Sequence, residues 1–364
     1  MSTSNDSPTR RADDAAKDAA EDLFLEQMSA QREHDEALAQ DDGTLAFAPK
    51  IDFDKFKPSR SSLAARKRKN MLMTSLIGVA FLVALIPLIS VLWTTLVHGV
   101  KRLNWDFLAH NMTNVIGGNP TASGGHGGVL HAIIGTLEIT FGAMVISIPI
   151  GIMCAVFLTE YSKGGRLAST IRVLVDVMSG IPSIVAGLFA FSMFTIIGGP
   201  GTLNGFEGSV ALSLLMIPTV VKTTEEMLRI VPNDLREASL ALGVTKQRTI
   251  TKIILRTSLS GIISGCILAI ARVIGETAPL LMTAGFIVST NMNLFNGEMT
   301  TLPVYVYQEY SKYKAHCPEG AGASCVASIP MERAWSAALV LIIIVLILNI
   351  LGRLAARALA VKTK

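Results

Sequence analysis

The chain has 364 residues, 50% of them hydrophobic and only 16% charged, with a mean hydropathy of +0.48 and a formal net charge of +4. A soluble domain ordinarily carries about 25% charged residues, so this composition excludes an ordinary water-soluble domain. No basic patch interleaved with aromatics occurs, which excludes nucleic acid as an expected partner.

From Met1 to Asn70 the chain is rich in Asp, Glu, Lys, Arg and Ser. Asp13 to Ala39 has the composition of a short polar helix, and Asp41 to Arg60 reads as irregular. With few apolar residues to cover a core, residues 1–70 are expected to form a largely disordered cytoplasmic tail. The first apolar run begins only at Met71 and is too long for the h-region of a secretory signal. A bilayer takes about 20 apolar residues to cross. By that measure six spans are expected, near 71–97, 129–158, 173–197, 208–228, 258–290 and 335–352. Glu138 interrupts the second, Asp176 the third, and Arg272 and Glu276 the fifth. The fourth is uncharged only from Ser209 to Val221 and borrows residues towards Met227. Pro149, Pro182 and Pro218 lie inside spans, where proline either breaks a helix or kinks it. Glu138 is expected at an interface or polar cavity. The fold class is an all-α, polytopic membrane protein of about six transmembrane helices, with a transmembrane domain over 71–352 and a basic C-terminus over 353–364.

Lys and Arg favour the cytoplasmic flanks of spans. Arg60 to Lys69 just before the first span, the second-to-third loop, the fourth-to-fifth loop and the C-terminus together hold 19 basic residues, and the opposite set holds five. That bias places both termini in the cytoplasm and fits an even span number.

The fourth-to-fifth loop is longer than an anchor needs. Pro232 suits a first helical turn, Asn233 or Asp234 can cap it, and Gly243 can take the left-handed C-cap geometry. A second amphipathic helix with Ile250, Ile253 and Ile254 on one side is expected to follow, giving two short helices joined at Gly243. Arg172 and Asp176, spaced i and i+4, are expected to pair near the cytoplasmic end of the third span. Arg272 and Glu276 have the same spacing inside an apolar span, where a charge costs about 2.5–3.5 kcal/mol. Either they neutralise each other at a helix interface, or they face a translocation path; an Arg fork suits a tetrahedral oxyanion. Cys154 and Cys266 lie in apolar runs and read as inert packing residues. Cys317 and Cys325 lie in the loop before the last span, which the charge bias puts outside the cytoplasm. Oxidation is permitted there, so they are either a disulfide or two free thiols. No G-x-x-x-x-G-K-[ST] loop occurs, and no His, Ser or paired-carboxylate constellation has catalytic or metal-ligand spacing. No cofactor or enzymatic activity is expected, and the chain is not expected to hydrolyse ATP itself.

Glu237, Ala238 and Ser239, then Gly243, then Ile253 and Leu255, resemble the coupling loop of importer-type ABC permeases. That family often has Pro where Arg256 stands here. Ser179–Phe189 (SGIPSIVAGLF) and Ile270–Ala284 (IARVIGETAPLLMTA) resemble signatures of phosphate importer permeases, the second more like the A-type membrane subunit than its C-type partner. Gly135, Glu160–Tyr161 and Leu302–Gln308 are consistent with it, and the likeness covers Leu72 to Gly352. It implies a type I ABC importer permease fold whose coupling helix docks on a cytoplasmic ATPase. It also implies the cytoplasmic membrane as the location, with membrane lipid around the spans. The implied partners are a second, C-type permease, two copies of the ATPase and an extracytoplasmic phosphate-binding protein. A permease for sulfate or molybdate, and a phosphate-signalling scaffold, are the alternatives.

Overall fold

The computed structural model describes residues 60–115, 118–120, 125–162, 164–199, 201–317 and 325–359. The expected tail up to residue 59 and the last five residues lie outside these. The chain divides into two units, Met1–Val83 and Ala84–Lys364. Of the first, the described part is the opening of one long helix.

Helices are the only regular secondary structure among the described residues. They are α1 (Arg60–Gly99), α2 (Trp105–Ala109), α3 (Leu130–Val156), α4 (Arg166–Gly180), α5 (Ser183–Gly198) and α6 (Gly205–Ile230). Then come α7 (Asn233–Ala241), α8 (Lys246–Val273), α9 (Ala278–Thr283), α10 (Leu302–Lys312) and α11 (Ile329–Leu359). Among the described residues five of these helices are long and apolar enough to cross a membrane, and six spans result if the bent pair α4–α5 counts as one.

Small residues let the central helices approach closely, as membrane helices require without a hydrophobic drive between them. A Cβ on Gly151 of α3 would stand 2.6 Å from Val220 of α6. Ala143 and Ala155 on α3 are fully buried, and Ser209 of α6 donates to the Ile139 carbonyl at 3.1 Å. A Cβ on Gly187 of α5 would meet Pro279 of α9 at 2.6 Å.

Four sequence expectations are corrected. The helix ahead of the first span begins at Arg60, inside the stretch assigned to the tail. The third span is two helices bent by 106°. Pro182 has no N–H to give and holds Ile181 extended, at φ −68° and ψ 129°, so α4 cannot continue. The fifth span stops at Val273, because the chain turns at Gly275 and Pro279 starts the separate helix α9. The second half of the cytoplasmic hairpin is not a separate short helix. It passes through a π-helical stretch, Thr249–Ile254, straight into α8.

Candidate coupling helix and translocation face

α7 starts after Pro232, which is its cap and has no side-chain hydrogen bond. Neither Asn233 nor Asp234 caps it; Asn233 instead accepts from Arg236 Nη1 at 3.1 Å through Oδ1. The helix ends because Gly243 takes φ +75°, a conformation that only glycine adopts freely. Its N–H donates to the Leu240 carbonyl at 2.9 Å, and Val244 N–H to the Ser239 carbonyl at 3.2 Å.

The two faces of α7 differ. Ser239 is buried, and its hydroxyl lies 2.8 Å from the Thr249 hydroxyl at the foot of α8. Glu237 and Ala238 are exposed, as are Leu235 and Leu242, the latter at 84%. Leu235, Ala238 and Leu242 follow at i, i+3 and i+7, so they form one apolar stripe that stays exposed among the described residues. Ile253 and Leu255 are half-buried, and Ile250 and Ile254 belong to the core.

Arg236 fixes α7 to the spans. Its guanidinium donates to Glu160, with Nη2–Oε1 2.8 Å and Nε–Oε1 3.2 Å, in the π-helical turn Phe157–Tyr161 that ends α3. It also donates to the Leu228 carbonyl at 2.9 Å and the Val231 carbonyl at 2.6 Å, both at the end of α6. Those are carbonyls that a helix terminus leaves without internal partners. One side chain thus joins α3, α6 and α7.

The expected Arg172–Asp176 pair does not form. Arg172 donates to Glu225 at 3.1 Å and to the Leu158 carbonyl at 3.1 Å, while Asp176 pairs with Lys222 at 2.8 Å. Cross-helix partners on α6 outcompete the i, i+4 neighbour because α4 lies against α6 there.

Arg272, at the last turn of α8, is exposed at the surface of this chain, and its Nη1 reaches the Thr219 hydroxyl of α6 at 3.4 Å. Glu276 lies past the helix end, its N–H donating to the Val273 carbonyl at 3.1 Å. The two therefore do not share a helix face and form no ion pair. Lys222 stands one turn beyond Thr219 on α6, its Nζ bound by Asp176 and by Ser179 Oγ at 2.9 Å. The α4 turn just before the bend at Pro182 is thus tied to a lysine that α6 supplies. The roles of Lys222, Glu225 and Arg236 escaped the sequence reading, and Glu160 was noted there only as part of the family likeness, not as the partner of Arg236.

On the opposite side, Cys317 and Cys325 are bonded, with S–S 2.04 Å and Cα–Cα 5.9 Å. Val326 N–H donates to the Gly118 carbonyl at 2.9 Å, so this linked segment is tied to the loop before α3. Nearby, the buried Glu309 of α10 pairs with Arg333 of α11 at 2.7 Å.

Residues 147–364 match the family described as binding-protein-dependent transport system inner membrane component. The phosphate transport system permease protein PstA 1 of Mycobacterium tuberculosis (strain CDC 1551 / Oshkosh) is 42% identical over 288 residues, covering 78% of this chain and 88% of that one. The chain belongs to the PstA-like ABC importer permeases. A further relative, PstA of Pasteurella multocida (strain Pm70), is 36% identical over 301 residues, covering 81% of this chain and 97% of its own length. A bacterial alginate ABC transporter, solved with an alginate pentasaccharide-bound periplasmic protein, superposes with a TM-score of 0.55 at 13% identity. The match covers 80% of this chain and 96% of that one, and it shows the fold alone. As a PstA-like permease the chain is a multi-pass transporter subunit and not an enzyme.

Proposed function

We propose that this chain forms half of the membrane pathway of a phosphate importer, with α7 as the coupling helix on a separate ATPase. The observation that carries the substrate is the 42% identity with a phosphate permease over 78% of the chain. The side-chain chemistry supports it. Arg272 offers a guanidinium fork from within the span, and Lys222 adds a second cation one turn of α6 away from Thr219. Glu276, at the adjoining helix break, is the acid candidate on the same path.

The partners follow from what the chain presents and omits. The stripe Leu235, Ala238 and Leu242, flanked by Glu237, is a surface for a groove on a cytoplasmic ATPase, which is present in two copies. A C-type permease completes the pathway opposite Arg272, and an extracytoplasmic phosphate-binding protein delivers the anion. Both termini lie in the cytoplasm and the Cys317–Cys325 loop lies outside. A rigid helix clamped by Arg236 to the ends of α3 and α6 passes nucleotide-driven closure to the spans as a rigid-body motion. Sulfate, molybdate and a purely signalling role have no observation in their favour.

Radiolabelled uptake in cells lacking this chain tests the reading. Restoring the chain should restore phosphate uptake and leave sulfate and molybdate uptake unchanged. Recovery of sulfate or molybdate uptake without phosphate would overturn the substrate.

A further inference from the structure

A cleft of about 530 Å³ opens where the end of α3, α4, the end of α6 and the coupling helix α7 meet. Leu158, Ile250 and Ile254 line it with apolar surface, and Arg172, Arg229, Arg236 and Lys246 line it with positive charge. Glu160 is the one acid in the lining, and Glu225 reaches Arg172 and Arg229 from beside it. Four cations and one carboxylate line the cleft itself, and the adjoining hollow that shares Arg172 and Arg229 adds Glu225, Glu226 and the Asp176–Lys222 pair, which leaves a small excess of positive charge.

The donors are unequally used. Arg236 is fully engaged by Glu160, Leu228, Val231 and Asn233. Among the described residues Arg229 gives only Nη2, to Glu225 at 2.6 Å, and keeps Nε and Nη1 uncommitted. Arg172 gives Nε and Nη2 and keeps Nη1. Among the described residues Lys246 has no carboxylate partner and rests over the Tyr161 ring, 5.0 Å from its centroid. Guanidinium and ammonium donors converging on a concave site suit the several oxygens of a phosphate group. The apolar floor excludes water from one side and strengthens those contacts.

We propose that this cleft binds a phosphate group, held by Arg172, Arg229 and Lys246. The group comes from free inorganic phosphate on the cytoplasmic side or from an anionic lipid headgroup of the inner leaflet. The occupant would bridge α4 and α6 to the foot of α8, on either side of the coupling helix. The cytoplasmic placement rests on the orientation proposed above, whereas the binding itself does not.

The test uses the complete membrane complex purified in detergent, as wild type and as the double variant Arg229→Ala/Lys246→Ala. Both replaced side chains are exposed, and the clamp residue Arg236 is kept; thermal melting verifies that the variant is folded. Inorganic phosphate binding is measured by equilibrium dialysis, with Arg272→Gln as the control for the pathway. Lipid retention is measured by native mass spectrometry after exchange into phosphatidylglycerol or phosphatidylcholine vesicles. Free phosphate as the source requires a site weakened about tenfold or more in the double variant and retained in Arg272→Gln. A lipid source requires phosphatidylglycerol, and not phosphatidylcholine, to be retained by wild type and lost severalfold from the variant. Equal phosphate binding and equal lipid retention in wild type and variant would overturn the proposal. Labelling of a Leu242→Cys variant from each side of the membrane reports the orientation separately.

Discussion

Replacing Arg236 by Met removes the side chain that joins α7 to α3 and α6. Glu160 is then left without its cation, at 7% side-chain exposure, and the carbonyls of Leu228 and Val231 lose their donors. Breaking a buried ion pair from one side costs about 3–5 kcal/mol. Arg236 keeps 20% of its side chain exposed, so solvent screening lowers the expected cost to about 2–3 kcal/mol. That loss falls on the attachment of the coupling helix rather than on the membrane bundle. Arg236→Met should therefore insert normally but transport poorly, with ATP hydrolysis by the complex no longer stimulated by substrate. Glu160→Gln in the same chain removes the stranded charge and should recover part of the lost thermal stability. A variant that melts, hydrolyses ATP and transports like wild type would refute the clamp.

Glu237→Lys or Gly243→Ile should abolish uptake with normal membrane levels, since one reverses the charge beside the docking stripe and the other forbids φ +75°; normal uptake at normal expression contradicts the coupling role. Arg272→Gln should cut phosphate uptake strongly while Arg272→Lys keeps part of it, because charge persists without the fork; undiminished uptake in both contradicts a pathway role. Thiol labelling of intact protein should leave Cys317 and Cys325 unmodified until reductant is added. Serine at both positions should cost about 2–3 kcal/mol of local order, seen as faster proteolysis of that loop; labelling without reductant contradicts the bond and weakens the outside placement.

Much of the membrane architecture was legible because hydropathy reports spans directly: the runs from Met71, Ser209 and Trp335 lie within long helices, and the run from Val129 begins one residue ahead of α3. The turn at Gly243 was legible too, since a glycine ending a capped helix has one geometric use. What escaped depended on contacts distant in sequence. Pro182 gave a local reason for α4 to stop, but the 106° bend that follows depends on packing such as Gly187 on Pro279, which no local rule supplies. Arg236 and Glu160 lie 76 residues apart, so the clamp has no sequence spacing to betray it. Arg172 chose Glu225 over Asp176 for the same reason. The early end of α8 was readable in principle, as Gly275 and Pro279 both interrupt the run; treating residues 258–290 as one span passed over them.

This chain carries phosphate across the membrane as part of an ATP-driven importer. Reconstitution of the chain with its C-type permease, ATPase and binding protein into proteoliposomes tests it most directly. ATP on the ATPase side should drive accumulation of radiolabelled phosphate from the opposite side, competed by unlabelled phosphate and not by sulfate, and lost with Gly243→Ile. Accumulation that needs no ATP, or that sulfate competes equally, would contradict the account.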